Sequence, residues 1–332
     1  MTTIMFERKF SELFLFLFIL ISFLAGCGGG GGGSSASISY TGATTQAVIT
    51  QANGGNIAYS AYQNGSTGNS LGTVLSVEQS TEIMSSRPRM LLLSQALKKS
   101  VSQISIAHDL DNQSVGAVVN DSSSIPGDCG GNAVYSISIN DVTYEFSGTF
   151  TFNTYCIEDT TLSGSIGFSG QFNPDTVVFG QITMSFDSLT VESGSDSFSA
   201  DGDLTIEPGA SSTSVTLNMV MVDNSTDKTY MAENYVMTLS EDLASVTMTI
   251  SGRMYDPDYG YVDVTTPTPL VISNGDAFPS SGVLLATGSD GSSGNPAKAK
   301  LTALSSTSYQ IEIDEDGDGN FEFLDTGNWA EL

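Results

Sequence analysis

Histidine and cysteine are nearly missing from this 332-residue chain, which holds one His, His108, and three Cys. That scarcity excludes zinc centres built on His and Cys ligands, and triads that need an imidazole base. Cations are scarce too: ten Lys plus Arg stand against 37 Asp plus Glu, a formal net charge of −27. A phosphate backbone is bound by clustered cations, so nucleic acid is excluded as a partner. The chain also lacks a nucleophile-elbow sequence and a phosphate-binding glycine loop placed after a strand. Only 14% of residues are charged while 39% are hydrophobic and 35 are Gly. The polar surface is therefore left to Ser, Thr, Asn and Gly, and enough apolar matter remains for a core.

The first residues carry an address. Arg8 and Lys9 precede an apolar run from Leu13 to Phe23, shorter than the ~20 residues of a membrane span but suited to a signal-peptide core. The run ends in Leu24-Ala25-Gly26-Cys27, followed by Gly28 to Gly33 and Ser34-Ser35. Small residues before a Cys resemble the lipobox of bacterial lipoproteins, in which that Cys becomes the lipidated N-terminus. The Gly/Ser stretch reads as a flexible tether between anchor and domain. The sorting rule of that family retains a lipoprotein in the inner membrane when Asp follows the Cys. Gly28 in that position implies an outer-membrane lipid anchor, with the domain periplasmic or exposed at the cell surface. Loss of residues 1–26 removes Glu7, Arg8, Lys9 and Glu12 together, so the exported chain keeps its charge of −27.

In an exported chain oxidation is permitted, and with Cys27 acylated only Cys129 and Cys156 remain, so the two are expected to form a disulfide. Between the tether and this pair, two helices are expected. One lies around Gln46 to Tyr62, weakened by Gly54 and Gly55. The other follows Pro88, where Met90, Leu93, Leu97, Val101 and Ile104 make one stripe. Arg87, Arg89, Lys98 and Lys99 lie beside that stripe, and either neutralise the protein's own acidic sheet or meet anionic headgroups.

From Ala133 to Ser273 the pattern switches to period two. Val142, Tyr144, Phe146, Phe150 and Phe152 share one parity, and the intervening residues are mostly Thr, Ser and Glu. Similar alternation runs through Leu162 to Phe172, Ile182 to Phe186, Leu204/Ile206, Val215 to Met221 and Val246 to Met254. Turn signals at Asn140-Asp141, Asn173-Pro174, Ser193-Gly194, Pro208-Gly209 and Asp223-Asn224 separate these runs at hairpin spacing. Gly148, Gly164, Gly170, Gly202 and Gly252 stand at apolar parity, which predicts bends or close approach by another group. The expected fold is mainly β, a curved antiparallel meander sheet of open-barrel or sandwich-like form. One or two N-terminal helices pack on it, and a small C-terminal β region follows. The expected segments are 1–26 (signal peptide), 27–37 (lipidated Cys and tether), 38–128 (helical and irregular), 129–273 (antiparallel β domain) and 274–332 (C-terminal β region). A transmembrane barrel shares the alternation, but a lipid anchor and a small Ser/Thr-rich second face speak against it.

The motif with chemistry lies near the end. Asp314, Asp316, Asp318 and Gly319 occupy positions 1, 3, 5 and 6 of an EF-hand-type calcium loop, with Asn320 at 7, Glu322 at 9 and Asp325 at 12. Alternate side chains of a tight acidic loop converge, and hard carboxylate oxygens suit Ca²⁺. Position 12 is Asp in place of the bidentate Glu, and Tyr309, Ile311 and Ile313 alternate as a strand. The loop is therefore expected to join strands, not helices, and the alternative is a solvated Asp/Gly turn.

The layout as a whole resembles a group of β-rich bacterial lipoproteins with no assigned activity. The resemblance rests on Ser39-Tyr40-Thr41-Gly42 with Ala47 to Thr50, Cys129-Gly130-Gly131, the stretch Tyr255 to Tyr261, and the closing acidic loop with Trp329. It implies an architecture and no chemistry. The sequence thus predicts a lipoprotein of structural or binding role, not an enzyme, with Ca²⁺ as cofactor. Its partners would be the membrane, through its lipid, and envelope proteins, glycans or lipids. The alternative is an amphiphile carrier that uses the concave apolar face of the sheet, unless the Met90 to Ile104 helix fills it.

Overall fold

The computed structural model describes residues 37–63 and most of 118–331, with short breaks at 141, 158–159, 174–177, 195, 210, 243 and 292–293. Cys27, its tether, the Met90 to Ile104 stripe and His108 lie outside the described residues. The fold is mainly β and antiparallel throughout its named strands, as the alternation predicts. The chain divides into two compact units. The first holds β1 (Val118–Pro126), β2 (Gly130–Asn140), β3 (Glu145–Ile157), β4 (Thr160–Asn173), β5 (Val178–Ser193) and β6 (Asp196–Pro208). The second holds β7 (Thr213–Asp223), β8 (Lys228–Glu241), β9 (Ser245–Asp256), β10 (Gly260–Ser273), β11 (Ser281–Thr287), β12 (Lys298–Ser305), β13 (Ser308–Asp314) and β14 (Phe323–Asn328), then a 3₁₀ turn at Trp329–Glu331. In each unit every strand lies beside its predecessor, and among the described residues β1 is no partner of β6, nor β7 of β14. Among the described residues, the strands of neither unit close into a ring.

Hairpins follow from the turn signals, since all five predicted dipeptides fall at or between strand ends. Burial follows from parity: Val215, Leu217, Met219 and Met221 on β7 are all buried, as are Leu162, Ile166 and Phe168 on β4. Two departures have local causes. Val142 and Tyr144 belong to the β2–β3 turn, where Asn140 Oδ1 accepts the Val142 and Thr143 amides, and Val142 is exposed. Beyond Phe152 the parity flips, because a bulge with Thr154 in the left-handed region brings Tyr155 and Ile157 inward.

The glycines at apolar parity divide by cause. Gly148 faces Phe168 across β3–β4, and Gly170 faces Phe146. A Cβ at either would overlap the facing ring, so each glycine is seated under an aromatic side chain of the neighbouring strand. Gly164 and Gly252 instead sit at bulges with positive φ, where the strand bends.

In the first unit Cys129 and Cys156 form the expected disulfide, with Cα atoms 5.1 Å apart. It bridges the β1–β2 turn to the end of β3, beside the Gly130↔Cys156 pair.

In the second unit the N-terminal segment is built into the sheet. Residues 45–49, expected to open a helix, form parallel bridges to Tyr261 and Ser289. The Ala47 amide donates to Tyr261 O at 2.8 Å, and the Ile49 amide to Ser289 O at 3.0 Å. β10 and β11 pair from Asp263↔Thr287 onward, so this strap occupies the fork left where they diverge. Gly260 and Gly288 make room for it, since a Cβ at either would overlap the strap carbonyls of Thr45 and Ala47. Two motifs remote in sequence meet here: the Tyr40 ring lies 5.5 Å from that of Tyr255, and its hydroxyl is 3.0 Å from Asp256 O.

Helical backbone begins only at residue 54 and is described to 63 (α1). Gly54 and Gly55 therefore open the helix in place of interrupting it. A Cβ at Gly54 would overlap Ile313 Cδ1, so its lack of a side chain is what lets α1 start against β13. Tyr235 on β8 donates its hydroxyl to Ala61 O at 2.6 Å, and Tyr62 packs 4.9 Å from Trp329. Trp329 is fully buried between Tyr62, Phe278 and Tyr309, with its indole N–H on Ser305 O.

Candidate metal centre

The acidic loop leaves β13 at Asp314 and enters β14 at Phe323, so it joins two antiparallel strands, as the alternation of Tyr309, Ile311 and Ile313 predicts. Its bends are set by Gly317 and Gly319, both at positive φ, a region glycine enters without steric cost. Each acid closes a turn within the loop. Asp314 Oδ2 accepts the Gly319 amide at 3.1 Å, Asp316 Oδ1 the Asp318 amide at 3.1 Å, and Asp318 Oδ1 the Asn320 amide at 2.7 Å. The Glu322 amide donates to Ile313 O at 2.9 Å, which starts the β13–β14 ladder.

These turns bring one carboxylate oxygen from each of Asp314, Asp316, Asp318 and Glu322 within 4.8 Å of one another. Three of the four side chains are exposed and Asp314 is fully buried. Among the described residues Asp314 Oδ1 has no hydrogen-bond partner, and Lys298 Nζ lies 3.9 Å from Oδ2. A buried carboxylate oxygen without a partner is costly. A hard cation held among the four carboxylates would satisfy it, and the donor set is the kind such ions take. The residues present therefore fit a divalent metal ion.

The other two predicted ligands are placed differently. Asn320 Nδ2 donates to Asp318 Oδ2 at 2.8 Å, so its side chain braces a carboxylate. Asp325 sits on β14 opposite Ile311 and accepts the Thr326 amide. It is not among the four acids brought together. In a helix-flanked loop the exiting helix returns position 12 to the ion. Here an antiparallel strand carries it away, roughly 10 Å along the ladder from Asp314. Glu322 stands at the mouth of the loop in its place.

Asp318 is held below the usual carboxylate range, chiefly by the Asn320 amide and then by its side-chain N–H. This keeps it ionised, as ligation requires. Lys300 lies 4.0 Å over the Phe321 ring and pairs with Glu312 at 2.6 Å, fixing the apolar residue beside Glu322.

Residues outside the motif complete the site. Asn295 Nδ2 donates to Asp316 O at 3.4 Å, and Glu315 Oε2 accepts the Gln51 amide at 3.3 Å. Neither partner could be read from the sequence, because Gln51 is 264 positions from Glu315 and carries no local signal.

Elsewhere, a depression of about 490 Å³ over β1–β3 is lined mainly by Ser122, Ser136, Ser138, Ser147 and Thr149. Among the described residues no helix is long and apolar enough to cross a membrane. No protein family, curated protein or solved structure matches the chain.

Proposed function

We propose that this chain is an exported outer-membrane lipoprotein with a structural or binding role, stiffened by a Ca²⁺ ion in its C-terminal acidic loop. The observation that supports it most is the fully buried Asp314, whose Oδ1 has no partner among the described residues, beside three further carboxylates within 4.8 Å. Asp314, Asp316, Asp318 and Glu322 would hold the ion, and water would complete its coordination at the three exposed acids. Ca²⁺ accepts six to eight oxygen ligands in adaptable geometry, whereas Mg²⁺ demands a small octahedron. An open set of four carboxylates on a glycine-hinged turn favours the former. The anchor rests on Leu24 to Cys27 and the glycine tether, and the envelope context on that anchor and the acidic charge. Partners would be envelope proteins, glycans or lipids, and the reading assigns no catalysis.

Calorimetric titration of Ca²⁺ into the full chain in detergent tests the cation. Saturable heat is expected, and its loss in Asp316→Ala/Asp318→Ala. Absence of heat at millimolar Ca²⁺ would reduce the loop to a turn. For the anchor, Cys27→Ser is expected to move the chain from the membrane to the soluble fraction on cell fractionation.

A further inference from the structure

We infer that the cation site is a latch for the N-terminal strap, so that ion binding at residues 314–322 holds residues 45–63 in the β10–β11 fork and against β13. The inference rests on the cation reading above and adds what the ion controls. Both neighbours of the buried ligand Asp314 touch the strap. On one side Ile313 carries the start of α1, at the position where Gly54 has no side chain. On the other, Glu315 accepts the Gln51 amide through its carboxylate. The same loop is tied through Asp316 O to Asn295, in the β11–β12 connection that also holds Ser289, to whose carbonyl Ile49 donates its amide.

The geometry makes the strap and the loop mutually dependent. Four carboxylates without a cation repel one another, and relief comes from opening the turns that set Ile313 and Glu315 in place. With a cation the turns are fixed, and both contacts to the strap are held with them. Coupling of this kind is reciprocal: an ion that tightens the strap binds more weakly when the strap is out. Residues 38–44 separate the strap from the segment that the sequence reads as tether, and Tyr40 and Ala43 among them bond Asp256 O and Pro257 O, so the latch acts on the strap and not on the length of the tether.

Hydrogen–deuterium exchange on the full chain, in Ca²⁺ and in chelator, reads this with calorimetry alongside. Amides of 45–63 are expected to slow by about five-fold or more in Ca²⁺, while peptides of β7–β9 change less. Glu315→Ala is expected to keep saturable calorimetric heat, at an affinity weakened by no more than the coupling factor, and to lose most of that slowing, since it removes the acceptor for Gln51 but no ligand. Heat without slowing of 45–63 would overturn the latch and leave the cation reading standing. Equal slowing over β7–β9, or full slowing in Glu315→Ala, would overturn it as well. Absence of heat would overturn both.

Discussion

Single residues in this chain are constrained by what faces them. Gly148 lies under the Phe168 ring and against Ser136 O, and a Cβ there would overlap both. Because Ser136 O is backbone, the strand cannot yield cheaply. Gly148→Ala is expected to destabilise the first unit by about 1–3 kcal/mol, measured by urea denaturation. Asp256 is a different case. Its Oδ1 caps the turn after β9 by accepting the Asp258 and Tyr259 amides, yet burial raises its pKa against the lowering effect of those amides. A carboxyl with a raised folded value binds its proton more tightly when folded. Stability is then lost as pH rises from the unfolded carboxylate value through the folded one. Asp256→Asn keeps an acceptor for both amides and removes the buried charge. It is expected to raise the melting temperature at neutral pH, with the gain vanishing below the unfolded carboxylate range. A lower melting temperature at neutral pH would show that the charge itself holds the turn.

At the scale of elements, the periodic strands were the legible part. β7 alternates in burial, and its apolar residues of one parity, Val215, Leu217, Met219 and Met221, are all buried. β8 was harder to read, because a bulge with Asn234 at positive φ separates Ala232 from Tyr235 and breaks the period. β1 carries Asp121-Ser122-Ser123-Ser124 and offers no alternation at all. Apolar spacing around Gln46 to Tyr62 predicts a helix because local spacing cannot register a fork elsewhere in the chain that lacks a strand. Among these elements the Trp329 turn is the small hub that joins α1 to the end of the sheet. Trp329→Ala would remove a fully buried side chain touched by three rings. A loss of about 3–5 kcal/mol is expected, read from the denaturation midpoint, together with faster proteolysis within 54–63. The Cys129–Cys156 bridge acts on the first unit. Its reduction is expected to cost that unit about 3 kcal/mol in the chain-entropy account, measured by urea titration with and without reductant.

For the molecule as a whole, the decisive quantity is a charge of −27. Self-repulsion of that size destabilises any compact state, and salt screens it. Sodium chloride should therefore raise the melting temperature gradually, and equally in Asp316→Ala/Asp318→Ala. A site-bound ion behaves otherwise: at ten times its Kd, Ca²⁺ contributes about 1.4 kcal/mol. The Ca²⁺ increment should appear at millimolar concentration, exceed that of Mg²⁺, and be absent from the double variant. Calorimetric scans across both salts in both proteins separate the two effects.

By itself the sequence determined the mainly β class, the hairpin turns, the disulfide pair and the acids of the C-terminal loop. Each of these is written in local periodicity, in turn chemistry or in a count too small to leave alternatives. The tertiary structure alone decided which acids converge. Asp325 follows the β14 ladder away from the loop while Glu322 stays at its mouth, and Asp314 is sunk without a partner for Oδ1 among the described residues. It also decided that residues 45–49 bridge the sheet, because the groups they bond, Tyr261 and Ser289, lie more than two hundred residues further along the chain. Contacts at such separation arise from packing, which no local pattern encodes.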